Sequence, residues 1–185
     1  MTWHDGFGDG GFGELFDVLD DLEHQAQARY ALEREPEIAD RGRAEYAAVT
    51  LASRLMASLD AEVALEVTGV GRVEGRLGRV AADWCLVHGV GQDWVVRSSA
   101  VTLARRVSDR SVPELAWSPV TRLGFGSALR RIAEAGHRCV LRLVDGSAHD
   151  VHLRRIGADF VEAEEGAGRL LVAHAAIAAV QSRDD

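Results

Sequence analysis

Histidine is the residue type in this chain that could hold a metal ion. His149 and His152 are three positions apart in a segment whose alternating pattern predicts a strand. Successive side chains of a strand point to opposite faces, so this odd spacing separates the two rings. His137 and His174 could complete a zinc set only if the fold brought all four together. We therefore predict no metal site and no bound cofactor.

Three other features resemble parts of active sites. Cys85 could act as a nucleophile, but its apolar strand segment indicates a packed thiol. The Gly-x-Gly-x-x-x-Gly pattern that begins at Gly69 lies between two predicted strands, so it opens no helix that could hold a phosphate. Asp83 and Asp159 each precede an aromatic residue, and we interpret them as turn residues whose carboxylates accept backbone N–H bonds. We predict no catalytic residue and a protein that is not an enzyme.

An internal duplication organises the elements that carry these residues. The sequence VAADWCLV at residues 80–87 recurs as IGADFVEA at residues 156–163, an offset of 76 positions. The same offset pairs Leu65 with Leu141, Leu77 with Leu153, and Val101 with Ile177. Roughly half of the chain is therefore one unit used twice.

The sequence of each copy predicts one helix and five short strands. Apolar residues alternate with polar ones between glycine-rich turns, a pattern typical of half-buried strands joined by hairpins. The strands are predicted at 63–67, 73–77, 84–87, 94–96 and 101–103, and again at 139–144, 149–154, 160–163, 170–172 and 177–180. The helices are predicted at 51–59 and 127–135. Between the copies, Pro113 and Pro119 indicate a linker at 108–126. It lets the copies pack side by side, but chain connectivity alone does not make them share one sheet.

The N-terminal third predicts helices rather than strands. Residues 1–13 are rich in glycine and acid, which predicts a flexible acidic tail. Residues 14–60 have apolar side chains at three- and four-residue steps, interrupted at Pro36. We therefore predict a helical hairpin over 14–60, with its second helix at about 37–59. Its apolar stripes must be buried against each other, against the repeats or against a second subunit.

Composition and charge limit the classes of function that the protein could have. The 185 residues suffice for one mid-sized domain or two small ones, and the apolar runs are too short to cross a bilayer. The first residues lack the pattern of a secretory signal, so we predict a cytoplasmic protein without a membrane partner. All 21 basic residues are arginine, a bias typical of high-GC bacterial genes. The net charge of −8 lies within residues 1–60, and the rest is balanced, which disfavours nucleic-acid binding.

The repeated unit resembles the Sm-like fold, a small SH3-like β-barrel. The stretches that carry the resemblance are GRLGRVAADW at 75–84 and VHLRRIGADF at 151–160, with the short last strands around Val101 and Ile177. The chain also resembles an uncharacterised actinobacterial family. The Sm-like resemblance covers about 51–107 and 127–183.

Together these features predict an α+β, mainly β fold. It consists of an N-terminal helical hairpin followed by two Sm-like five-stranded small barrels in tandem, each preceded by a helix. The predicted domains are the tail at 1–13, the hairpin at 14–60, the first barrel at 61–107, the linker at 108–126, and a helix with the second barrel at 127–183.

The residues that read RNA in Sm proteins are absent from both copies. The resemblance implies an Asp and an Asn that help to form a uridine pocket. Ala81 and Gly157 stand at the Asp position, and Cys85 and Val161 stand at the Asn position. The remaining arginines could contact phosphates without reading the sequence. Nucleic-acid binding, as an RNA-binding Sm-like regulator, is therefore the disfavoured alternative.

Aromatic residues are the candidate interaction surface. The pattern favours core positions for Trp84 and Phe160 but leaves open that they lie at the rim, between the two copies. The full set of candidates is Trp3, Phe7 and Phe12 in the tail, Trp84 and Phe160 in the repeats, and Trp117 in the linker. We predict a non-enzymatic protein-interaction or assembly module whose partner is another protein or a second copy, as a homodimer or a pseudo-ring of four barrels from two chains.

Overall fold

The computed structural model describes residues 46–182, and from Val49 onward they belong to one compact unit. The first copy consists of α1 (Leu51–Met56), β1 (Glu62–Val67), β2 (Gly71–Val80), β3 (Trp84–Gly89), β4 (Gln92–Arg97) and β5 (Val101–Arg105). The second consists of α2 (Phe125–Ala135), β6 (Arg138–Leu143), β7 (Ala148–Ile156), β8 (Phe160–Glu165), β9 (Gly168–Ala173) and β10 (Ile177–Ser182). The strands fall at the predicted positions, and β6 to β10 correspond to β1 to β5.

The ten strands form one sheet in the order β5-β1-β2-β3-β4-β10-β6-β7-β8-β9, with every neighbouring pair antiparallel. The predicted fold class, a helical hairpin followed by two separate barrels, is therefore wrong. Strand β4 pairs with β10 across the boundary between the copies, which satisfies backbone groups that an isolated edge strand would expose. The period-two pattern specifies which face a side chain lies on, but not which strands become neighbours.

The helices also differ from the prediction. The predicted second helix at about 37–59 is not continuous in its described part, because Thr50 is extended and caps a new helix, Leu51–Met56. The Thr50 hydroxyl accepts from the Ser53 N–H at 3.1 Å, and the Ser53 hydroxyl accepts from the Thr50 N–H at 3.1 Å. This reciprocal capping box fixes the helix start. The rest of the hairpin and the tail lie outside the described residues. Within residues 46–182, no helix is long and apolar enough to cross a membrane.

Two hydrophobic cores, one under each copy, interlock at the copy boundary. The first core contains Ala178 and Ala179, which belong to β10 of the second copy. Conversely, Trp84 belongs to the second core, and Leu86 and Val95 of the first copy pack against it. Each copy therefore completes the core of the other, which explains why the duplicated units form one sheet rather than two independent domains.

Candidate interaction surface

Trp84 is a core residue. It begins β3, its side chain is almost fully buried, and it lies within the second core. Its indole N–H donates to the carbonyl of Leu123 at 3.0 Å, which satisfies the one polar group of the ring. The favoured core position is therefore confirmed for Trp84, and the residue offers no surface to a partner.

Trp117 and Phe160 occupy different surroundings. Trp117 is buried, and its indole N–H donates to the carbonyl of Val112 at 3.0 Å, so it folds the segment between the copies onto itself. Phe160 is 37% exposed and lies against Gly157, where an added Cβ would be only 2.5 Å from its ring. A core position is thus wrong for Phe160. The described aromatic residues do not form one surface.

The other predicted candidates, Trp3, Phe7 and Phe12, lie outside the described residues.

The two cysteines and His149 are held in packed or paired positions. Burial raises the pKa of the Cys85 thiol to about 12 and that of Cys139 to about 11, so both stay protonated at neutral pH. The His149 ring lies 3.3 Å from the Glu165 carboxylate. Across residues 46–182, no group of three His, Cys, Asp or Glu side chains is placed to hold a metal ion.

A polar cavity of about 280 Å³ lies at the beginning of α2, where side chains of both copies meet. The guanidinium of Arg97 donates to the carbonyl of His174 at 2.5 Å and lies 6.0 Å from the centre of the Phe125 ring. Burial lowers the pKa of His174 and the nearby Arg97 lowers it further, so both effects favour the neutral imidazole. Sequence patterns did not indicate this cluster, because its members come from distant segments.

Asp83 supplies the negative group of this cavity. A helix N-terminus favours an anion, and the Asp83 carboxylate faces the start of α2, with Oδ2 3.4 Å from where a Cβ on Gly124 would lie. The chain thus provides its own carboxylate at this position, and we assign the cavity no ligand.

At the turn before β3, the backbone carbonyl of Asp83 accepts a backbone N–H bond. The prediction gave this acceptor role to the Asp83 carboxylate. The carbonyl of Asp83 accepts from the Ser98 N–H at 2.8 Å, and the carbonyl of Asp159 accepts from the His174 N–H at 2.7 Å. Oδ1 of Asp83 has no hydrogen-bond partner within the described part of the chain.

The junction between the copies is the structure's own example of how this sheet binds another strand. Val95 of β4 lies opposite Val180 of β10, and the Asp93 N–H donates to the Ser182 hydroxyl at 2.7 Å. Beside this ladder lies an apolar cavity of about 250 Å³. Its lining includes Leu86, Asp93 and Val95 from the first copy and Ile132, Arg138 and Val180 from the second.

The two outermost strands of the sheet, β5 and β9, each have one neighbour among the described strands. Leu103 on β5 is 41% exposed and Leu171 on β9 is 73% exposed. Next to β9, a cleft of about 630 Å³ is lined by Leu170 and Leu171 together with charged residues. Edge strands that expose large apolar side chains are sites where another chain can pair. The sequence signal was available, since residues 101–105 and 168–173 repeat the two strands that meet at the junction.

A scan against protein-family models finds no match for this chain, and a search of curated proteins finds no similar sequence.

Proposed function

We propose that this protein is a non-enzymatic protein-interaction or assembly module that binds a polypeptide strand along an outer edge of its sheet. One observation carries the proposal: in the described part of the chain, the sheet ends on two edge strands that each present an exposed leucine, Leu103 and Leu171. An added strand forms backbone hydrogen bonds to such an edge, and alternate side-chain contacts supply specificity. The sheet edges, rather than the aromatic residues predicted from the sequence, are then the interaction surface.

The charge distribution of the repeats also supports a protein partner over nucleic acid. Residues 61–185 carry 16 acids and 16 arginines, so they lack the positive excess on which phosphate binding draws. Many surface arginines are paired with carboxylates, as in Arg105 with Glu66 at 2.7 Å and Arg154 with Glu164 at 2.7 Å. These pairs reduce the positive charge that a nucleic-acid backbone would meet.

The positions of the predicted RNA pocket support the same proposal. Ala81, Cys85 and Val161 are all fully buried, so three of the four positions that would need polar groups face a core. The fourth, Gly157, is half-buried and has no side chain to offer a base. Membership of the Sm-like family stays a prediction, and a cytoplasmic location stays a proposal that rests on the sequence pattern.

The test is affinity capture by the full chain from a lysate of the source organism, with and without nuclease. We expect captured proteins to persist after nuclease treatment, and to be lost with Leu171→Asp, which places a charge on the edge of β9. Val90→Asp is the matched control, because Val90 is also an exposed apolar residue but lies in a turn away from both edges. Capture that disappears only on nuclease treatment would favour the RNA-binding alternative.

A further inference from the structure

Among the described strands, the duplication places two unpaired halves of the same junction at opposite ends of the sheet. At the internal junction, β4 of the first copy binds β10 of the second. The offset of 76 positions makes β9 the counterpart of β4, and β5 the counterpart of β10. The two outer edges are therefore the two partners of a contact that the chain already makes once within itself.

We propose that β9 of one chain pairs antiparallel with β5 of a second copy of this chain, in the register of the internal junction. This proposal rests on the proposed function and names its partner. The register of Val95 and Val180, carried over by the offset, places these residues opposite each other between chains: Leu103 and Val172, Ala104 and Leu171, and Arg105 and Leu170.

The exposed leucines lie where the internal junction is buried. Ala179, the counterpart of Leu103, is completely buried in the first core. Val95, the counterpart of Leu171, is half-buried and packs against the second core. Pairing between chains would remove both leucines from water in the same way, since each would reach the core of the other chain.

Side-chain volumes match across the proposed contact. At the internal junction, the large Trp94 shares the first core with the small Ala179. Their counterparts are Leu170 and Leu103, so a large and small pair is replaced by two side chains of intermediate size. Exchanges that conserve the total volume are those that a packed interface tolerates best.

Charges are also complementary, with the signs exchanged. Asp93 of β4 and Arg138 of β6 line the same cavity beside the internal junction. Their counterparts are Arg169 and Glu62, both exposed, so the acidic and the basic partner have changed places together. Asp93 is paired with His88 and Arg138 with Asp150, so the two residues form no ion pair with each other at the internal junction. Arg169 and Glu62 still bring opposite charges to the proposed contact, which favours this partner and register over a contact between like charges.

One polar contact of the internal junction is not repeated. Ser182, which accepts from the Asp93 N–H, corresponds to Arg106. The guanidinium of Arg106 lies 2.7 Å from the Glu74 carboxylate of its own copy, so its charge is paired there rather than directed at Arg169. The proposed contact therefore relies on the strand ladder, the leucines and the opposite charges of Glu62 and Arg169.

The contact is head-to-tail, because two different edges meet. Each chain that uses its β9 leaves its β5 available for the next chain, so the assembly closes into a ring or continues as an array. A symmetric dimer through one edge, β5 with β5 or β9 with β9, is a different arrangement that the experiment must separate.

The decisive experiment mixes two full-length variants, Leu103→Asp and Leu171→Asp, each blocked at one edge. We expect each variant alone to have the mass of one 20.0 kDa chain by light scattering, whereas the mixture forms a one-to-one complex of twice that mass. The wild-type chain should form larger species than the mixture. Circular dichroism checks that both variants keep the fold, which we expect because substitutions at exposed positions seldom destabilise a protein.

Cysteine cross-linking tests the register. Oxidation of a mixture of Ala104→Cys and Leu171→Cys chains should give a disulfide-linked dimer, because directly opposed strand residues lie within disulfide reach. Thr102→Cys mixed with Leu171→Cys is the control two residues out of register. The native thiols are buried and protonated, so they stay out of the reaction.

Several results would overturn the proposal. These are a wild-type chain that stays monomeric at all concentrations, variants that each still dimerise alone, or a mixture that does not associate. If a monomeric chain still captures another protein through Leu171, only the second-copy partner is wrong and the proposed function stands. If Leu171→Asp changes neither self-association nor capture, both are wrong.

Discussion

Val95 of β4 lies directly opposite Val180 of β10, and this pair joins the two copies of the duplicated unit into one sheet. Val95 packs against the second core, while Ala178 and Ala179 beside Val180 complete the first. Neither copy therefore has a closed core of its own. We expect residues 49–182 to unfold in one cooperative transition rather than copy by copy.

Val95→Asp should uncouple the two copies. The substitution places a carboxylate in the half-buried junction, and we expect a loss of about 2–3 kcal/mol in the free energy of unfolding. Urea titration followed by tryptophan fluorescence and by circular dichroism measures it. Leu171→Asp is the matched control at the counterpart position on the outer edge, where dilute protein should lose less than about 0.5 kcal/mol. Equal losses at the two positions would show that the junction contributes no special stability.

Strand positions and turns were predictable because their signals are local. The alternation at Val63, Leu65 and Val67 and the glycine turn after it can be recognised from neighbouring residues alone. The duplication presents each strand and turn pattern twice. The pairing of β4 with β10 was not predictable from that pattern. It joins residues about 85 positions apart and depends on which edge strand of one copy pairs with which edge strand of the other.

The candidate site was less predictable than the strands. Trp84 and Phe160 are counterparts with the same preceding Asp, yet one is buried and the other is exposed. The difference arises because Trp84 lies at the boundary between the copies, where the second core covers it. Residue type alone could not distinguish them, because the covering elements come from the other copy.

An exchange of charges tests the contact between chains. Glu62→Arg or Arg169→Glu alone should place like charges together and raise the dissociation constant of self-association about fivefold at most. The double variant Glu62→Arg/Arg169→Glu restores opposite charges and should recover most of the affinity. Sedimentation at low ionic strength measures the three chains, with Glu114→Arg as an exposed control in the linker. Failure of the double variant to recover affinity would rule out this ion pair.

Gly75→Ala should destabilise the sheet. Gly75 has φ +154°, a conformation that other residues rarely adopt, and an added Cβ would lie 2.0 Å from the carbonyl oxygen of His88 on the neighbouring strand. Because the obstacle is backbone, we expect a loss of about 2–4 kcal/mol in the free energy of unfolding. Gly168→Ala is the control, since its Cβ would meet the nearest atom at 3.4 Å. A Gly75→Ala chain as stable as wild type in urea would show that β2 can shift.

The two buried thiols predict a loss of stability in alkaline solution. Folding raises the pKa of Cys85 to about 12 and that of Cys139 to about 11, above the ordinary value of 9.0. Above pH 9 the thiols of the unfolded chain ionise while those of the folded chain do not. Each thiol should therefore reduce the free energy of unfolding by roughly 1 kcal/mol per pH unit as the pH rises from 9 towards 11. Urea titrations at several pH values measure the slope, and Cys85→Val should reduce it; an unchanged slope would exclude Cys85 as its source.

Trp84→Phe removes the hydrogen bond between the first copy and the linker. Phenylalanine keeps most of the apolar ring but cannot donate to the carbonyl of Leu123, which accepts from the indole N–H at 3.0 Å. We expect a loss of about 1–3 kcal/mol in the free energy of unfolding, from the lost hydrogen bond and the smaller ring. Phe160→Ala, at the exposed counterpart position, should cost less despite the larger truncation, because water already reaches that ring. Chemical denaturation of both variants measures the comparison, and a greater loss for Phe160→Ala would contradict the assignment of Trp84 as the core member of the pair.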